Sequence, residues 1–156
     1  MKITLLCVGK TNSRDIENLL IDYEKRLQHY IKFEVSVIEL PSKMRRKSED
    51  EQKQAEGELI LSKLNLQAPL ILLDERGKGM KSEDFARFLQ IEMNRGPKEI
   101  YFCIGGAFGF SDAVYQKAYK KVSLSNMTFT HQMVRLFFTE QLYRAFTILK
   151  GEKYHH

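Results

Sequence analysis

The sequence is poor in the features that mark most specialised protein classes. It has two cysteines, Cys7 and Cys103, each inside an apolar stretch and neither in a CxxC or other metal-like spacing. That argues against a disulfide scaffold and against a metal site, and reads as core thiols in a reducing cytoplasm. No apolar run approaches the roughly 18 residues that a membrane span requires. The opening MKITLLCVGK reads as a strand, not as a secretion signal. No stretch is rich enough in proline, glycine or serine to divide the chain, and no internal repeat is present, so residues 1–156 are expected to form a single domain. Catalytic signatures are also missing. GxSxG, HExxH and GxxxxGK[ST] do not occur, and GxGxxG fails because Ala107 stands where its second glycine belongs. No pair of carboxylates stands out for hydrolysis.

What is present is an ordinary globular balance, 43% hydrophobic and 29% charged. The net charge is +5, and its position is more informative than its size. Residues 1–113 hold 18 basic and 18 acidic side chains, whereas residues 114–156 hold seven basic and two acidic ones. The surplus therefore lies in the last 43 residues. It is either a solvated face or the footprint of an anionic partner such as a nucleic acid.

Hydrophobic periodicity predicts alternating strands and helices. Strands are expected at 2–8, 33–39, 70–73, 99–104 and 122–125. Helices are expected at about 15–30, 82–95, 111–120 and 131–150, with Ser82 and Ser111 as N-caps. Residues 42–58 are almost devoid of apolar side chains and read as a solvated connector, or as a basic arm for RNA phosphates through Lys43, Arg45, Arg46 and Lys47, running into a helix that becomes amphipathic only near 59–64. The order implies an α/β fold built on a parallel sheet with helices on both faces. The apolar helix at 131–150 is either a core helix or an interface helix in a homodimer.

In open α/β sheets, ligands bind beyond the carboxyl ends of the strands. Three strand exits carry unusual chemistry: LLDERGKG at 72–79, IGGAFGF at 104–110 and LSNMTF at 124–129. Five of the nine glycines lie in the first two, where they let backbone approach a ligand closely. His131 and Arg135, spaced i, i+4, share one face of the last helix. A histidine at a helix N-terminus is held toward its neutral form, able to hydrogen-bond a base or ribose. Methyl transfer from a sulfonium donor suits this inventory, because the leaving group is already activated and the protein mainly positions donor and acceptor.

LLDERGK, IGGxxG, LSxMTFxHQMxR, EQLYRA and GExYH occur in that order along essentially the whole chain. Together they resemble the small SPOUT-class RNA methyltransferases of the RlmH family. The resemblance implies a parallel-sheet α/β fold with a C-terminal trefoil knot, a homodimer, and S-adenosylmethionine as cofactor. It implies methylation of N3 of a pseudouridine in 23S rRNA on the assembled ribosome, in the cytoplasm, with no membrane or metal involved. Carried over, Leu73, Gly105, Leu124, Ser125, Asn126, Met127, Thr128 and Phe129 would contact the cofactor. His131, Tyr143 and Tyr154 would contact substrate. His155, Arg135 and Arg144 would serve the chemistry, His155 as a base for the N3 proton or the arginines as stabilisers of the developing anion. The C-terminal tail would reach the partner subunit's site. Two positions depart from the family pattern: Thr130 stands where proline is expected, and Ala107 where proline or serine is usual. Two other readings stand beside it: a non-catalytic RNA-binding module on the same core, and a flavodoxin-like nucleotide binder, which explains neither the basic C-terminus nor the third loop.

Overall fold

The computed structural model describes residues 1–155. In chain order the elements are β1 (Lys2–Val8), α1 (Arg14–Leu27), β2 (Lys32–Ile38), a 3-10 turn (Met44–Arg46), α2 (Glu49–Lys63), β3 (Leu70–Gly79), α3 (Ser82–Asn94), β4 (Glu99–Ile104), α4 (Asp112–Lys117), β5 (Lys120–Ser123) and α5 (His131–Leu149). All strand pairings are parallel, in the order β2-β1-β4-β3-β5. β4, β3 and β5 are thus neighbours, and their carboxyl ends open side by side.

The sheet is covered on both faces, as its near-continuous apolar strands require. Ile3, Leu5 and Cys7 of β1 and Phe102 of β4 face a core that includes Leu27 of α1, Phe85 and Leu89 of α3, and Phe138, Leu142 and Phe146 of α5. Leu6 and Val8, with Leu70, Leu72 and Cys103, face the opposite core, closed by Ile60 of α2 and Val114 of α4. The apolar face of α5 is therefore in large part core.

Two expectations change in detail. The polar segment 42–58 is mostly helix: Ser48 accepts from the backbone N–H of Glu51 while the Glu51 carboxylate accepts from that of Ser48, a capping box that starts α2 at Glu49. Hydrophobic periodicity missed the start because capping, not an apolar face, sets it. Ser82 does not cap α3. Lys81 occupies the cap position and the Ser82 hydroxyl donates instead to Gln141 Oε1 (2.7 Å), which ties α3 to α5. Ser111 does cap α4, accepting from the N–H of Val114.

β3 runs beyond its apolar core. Leu73 and Lys78 both lie opposite Val122 of β5, so the intervening residues 74–77 loop out before the chain pairs with β5 again. Gly77 makes this possible: a Cβ there would stand 2.5–2.7 Å from backbone atoms of Val122 and Ser123.

Candidate active site

The three glycine- and serine-bearing strand exits meet around one cavity of about 910 Å³. Leu73 and Asp74 from β3, Gly105 and Gly106 after β4, and Leu124 and Ser125 after β5 form its walls. Met127, Thr128 and Phe129 continue the third wall, and His131 closes it at the start of α5. Of the residues expected to touch a cofactor, all but Asn126 line this space. Met127 is 75% exposed and Phe129 40%, apolar side chains left open beside the cavity.

Each loop is shaped locally. The Asp74 carboxylate accepts from the backbone N–H of Arg76 (2.7 Å) and from the Tyr115 hydroxyl, folding the bulge after β3. Burial, with Asp74 second, pushes the Tyr115 phenol up to about 12, so it stays a donor. After β5, the Ser123 hydroxyl donates to the carbonyl of Ser125 (2.9 Å), and the Ser125 hydroxyl accepts from the N–H of Met127 (2.9 Å). Thr130 then caps α5, accepting from the N–H of Met133 (3.3 Å). Its φ of −61° is also proline's, so this threonine keeps the backbone a proline would impose and adds a capping hydroxyl.

The start of α5 is bound to the loop after β1. Gln132 donates to the carbonyl of Lys10 and accepts from the N–H of Asn12, both at 3.0 Å. Arg135 donates to the carbonyl of Val8 (2.8 Å) and to the Thr11 hydroxyl (3.0 Å), and it is 0% exposed. His131 and Arg135 share a helix face, but His131 opens on the cavity and Arg135 lies in the interior beneath it. Desolvation, with the Arg135 charge second, holds the His131 imidazole below its usual pKa. The neutral form is favoured, chiefly through partial desolvation.

Tyr143, Arg144, Tyr154 and His155 gather elsewhere, over the far end of α5. Tyr154 stacks edge-on against Tyr143 (centroids 4.8 Å apart) and lies under the Arg144 guanidinium (4.7 Å). Arg144 pairs with Glu140 (2.5 Å) and reaches His155 Nδ1 (3.4 Å), whose Nε2 faces Glu83 Oε1 (3.1 Å). Thirteen residues of helix, about 20 Å at 1.5 Å per residue, separate Arg144 from His131. Within one chain this cluster and the cavity are distinct places.

Sequence reasoning missed the cavity's lower rim. Glu49, Asp50 and Lys53 of α2 line it, from a segment that read as a connector. The Ser48–Glu51 pair was the available signal. Both thiols are raised by burial, Cys7 to about 12, which removes them as nucleophiles at neutral pH. Among the described residues no group of three or more His, Cys, Asp or Glu is placed to hold a metal ion, and no helix is long and apolar enough to cross a membrane.

The family model described as predicted SPOUT methyltransferase matches residues 1–155. A protein of Christiangramia forsetii named ribosomal RNA large subunit methyltransferase H is 55% identical, over 100% of this chain and 99% of its own. Proteins of that name from Flavobacterium johnsoniae (54%) and Bacteroides thetaiotaomicron (47%) match over the same shares. Among solved structures, a probable methylase family protein from Haemophilus influenzae aligns with a TM-score of 0.59 over 97% of this chain and 67% of that one, at 11% identity, a likeness of fold. With matches over essentially its full length to the family model and to these relatives, the chain belongs to the SPOUT methyltransferase family, in its RlmH group.

Proposed function

We propose that the protein methylates N3 of a pseudouridine in 23S rRNA on the assembled ribosome, using S-adenosylmethionine and acting as a cytoplasmic homodimer. The observation that carries this reading is the convergence of the three strand exits, 72–79, 104–110 and 124–129, on one cavity at the carboxyl edge of the sheet. The cavity fits the cofactor: Leu73, Ile104 and Leu124 offer apolar walls, and the Gly105-Gly106 segment lines the space between them. When bound there, the cofactor supplies a methyl group on a positively charged sulfur, already poised to leave.

The chain's own residues would do the rest. Loop 124–129 would wrap the cofactor, its exposed Asn126 lying outside the cavity wall, and His131 would offer a neutral ring nitrogen to a base or ribose. Arg135 fixes the start of α5 against the loop after β1, so its share is positioning. Arg144, His155 and Tyr154, with Tyr143 behind them, suit an acceptor whose N3 proton must leave: His155 can take it and Arg144 can stabilise the anion. The roughly 20 Å between this cluster and the cavity favours a two-fold dimer. Antiparallel pairing of α5 helices would bring one subunit's cluster to its partner's cavity. The return of the chain from edge strand β5 to a helix packed on α1 and α3 is the path on which the family's trefoil knot would form.

The test is transfer of labelled methyl from S-adenosylmethionine to 70S ribosomes and to free 23S rRNA, with the modified nucleoside mapped. Label at a pseudouridine of the ribosome alone is expected. Label on neither refutes the reading, and label on free RNA alone refutes the ribosome as substrate. For His155, a His155→Ala variant should change the pH–rate profile; an unchanged profile removes it as the base.

A further inference from the structure

One ionisable side chain close to the cavity has no part in what has been described. Glu56, on α2, is 6% exposed, and its Oε2 is fully buried without a hydrogen-bond partner among the described residues. Its carboxylate lies directly behind the glycine loop. A Cβ on Gly106 would stand 2.5 Å from Oε2, 2.6 Å from Oε1 and 2.8 Å from Cδ. The next residue, Gly57, is equally constrained: a Cβ there would meet the Ser111 hydroxyl at 2.2 Å. The Glu56-Gly57 pair thus docks against both ends of the loop, with Gly106 making room for a carboxylate and Gly57 for the cap of α4.

A merely structural contact here does not need a carboxylate. An apolar side chain of that length would fill the space without leaving a buried oxygen unpaired, which ordinarily costs about 1–3 kcal/mol. Burial also raises the Glu56 pKa, as expected for an acid held away from water without a partner. Gly106 itself lines the cavity, so this acid packs against a residue of the cavity wall. Other charges face the same space. Glu49, Asp50, Glu75 and Asp112 are open to water and screened by it, as are Arg76 and, in part, Lys53, while Asp74 is already engaged by Tyr115 and Arg76. His131 is held toward neutrality. Glu56 is the acid among them with a low-dielectric path to the ligand.

We propose that Glu56 is a specificity-determining residue that acts through the glycine loop: its carboxylate favours a ligand carrying positive charge in the cavity over the same ligand without it. The inference rests on the cofactor reading above, and gives it a direction. The donor bears a sulfonium cation and the spent product a neutral thioether, so a fixed negative charge behind Gly106 retains the donor and releases the product. Across a backbone layer, on the order of 10 Å at an effective dielectric of about 20, one such charge changes relative affinity by about tenfold.

Calorimetry on the full chain tests this with three probes: S-adenosylmethionine, sinefungin (an amine, hence a cation, in place of the sulfonium) and S-adenosylhomocysteine. Glu56→Gln is expected to weaken both cationic probes about tenfold relative to S-adenosylhomocysteine, and Glu56→Asp to keep most of the preference. Equal weakening of all three probes, or no change in any, overturns the proposal, since a structural role moves them together. If Glu56→Gln does not fold, Glu56→Met, neutral and of similar length, serves for the same comparison. A wild type that binds none of the three overturns the cofactor reading and this inference with it. A wild type that binds all three while the variants keep its ratios overturns the inference alone.

Discussion

Gly77 offers the most direct test of how the site is built. Its missing side chain is the reason the bulge of β3 can lie against β5, since a Cβ would come within 2.5–2.7 Å of three backbone atoms of Val122 and Ser123. Backbone cannot swing aside as a side chain does, so Gly77→Ala must displace β5 or unpair it from Lys78 and Gly79. Overpacking of this kind costs about 1–3 kcal/mol. Alanine also restricts the unfolded chain, which returns about 0.4–1 kcal/mol. The net expectation is a loss of about 1.3 kcal/mol, or roughly 3–5 °C in Tm for a chain of this size. Gly79→Ala is the control. It lies two residues on in the same strand, and a Cβ there meets nothing within 4 Å, so it should be neutral or slightly stabilising. Because β5 runs directly into the loop 124–129, Gly77→Ala should also weaken S-adenosylmethionine binding more than tenfold while Gly79→Ala leaves it intact. Urea melts and calorimetry on the two variants read both effects. Equal stability of the two, or unchanged binding in Gly77→Ala, would refute the argument that the bulge is held by backbone contact.

The cap of α5 gives a second contrast: Thr130→Ala should cost about 1 kcal/mol in urea denaturation through loss of the bond to the Met133 N–H. Thr130→Pro should be nearly neutral, because proline fits φ −61° and restricts the unfolded chain by about what the lost cap costs. His131 should titrate below its usual 6.5 in an NMR pH series, and Arg135→Met should bring it part of the way back. The unfolded chain then binds this proton at about 6.5 while the folded one does so only at lower pH. Stability from His131 is therefore fully present above about pH 6.5 and is lost as pH falls through the folded midpoint; a midpoint at or above 6.5 would contradict the burial argument.

The order of strands and helices was legible in the sequence because each element repeats locally: period two or continuous apolar runs for β1 to β4, and 3.6-residue spacing for α1, α3 and α5. The sequence also marked the three strand exits, since clustered glycine and serine have a local conformational meaning. Capping decided α2, and a short-range pair, Ser48 with Glu51, overrode the lack of an apolar face. Other properties belong to the tertiary structure alone. Nothing local places β5 beside β3, so nothing local says that the exits of β4, β3 and β5 are neighbours. Spacing put His131 and Arg135 on one helix face, yet packing made the first a wall of the cavity and the second a buried brace on Val8 and Thr11. Glu56 reads as one more acid in a polar run until Gly106, fifty residues away, is folded against it. Local interactions are set by neighbours within a turn or two, and these they fixed; close approach of distant backbone is set by the whole chain, and only the folded sheet could decide it.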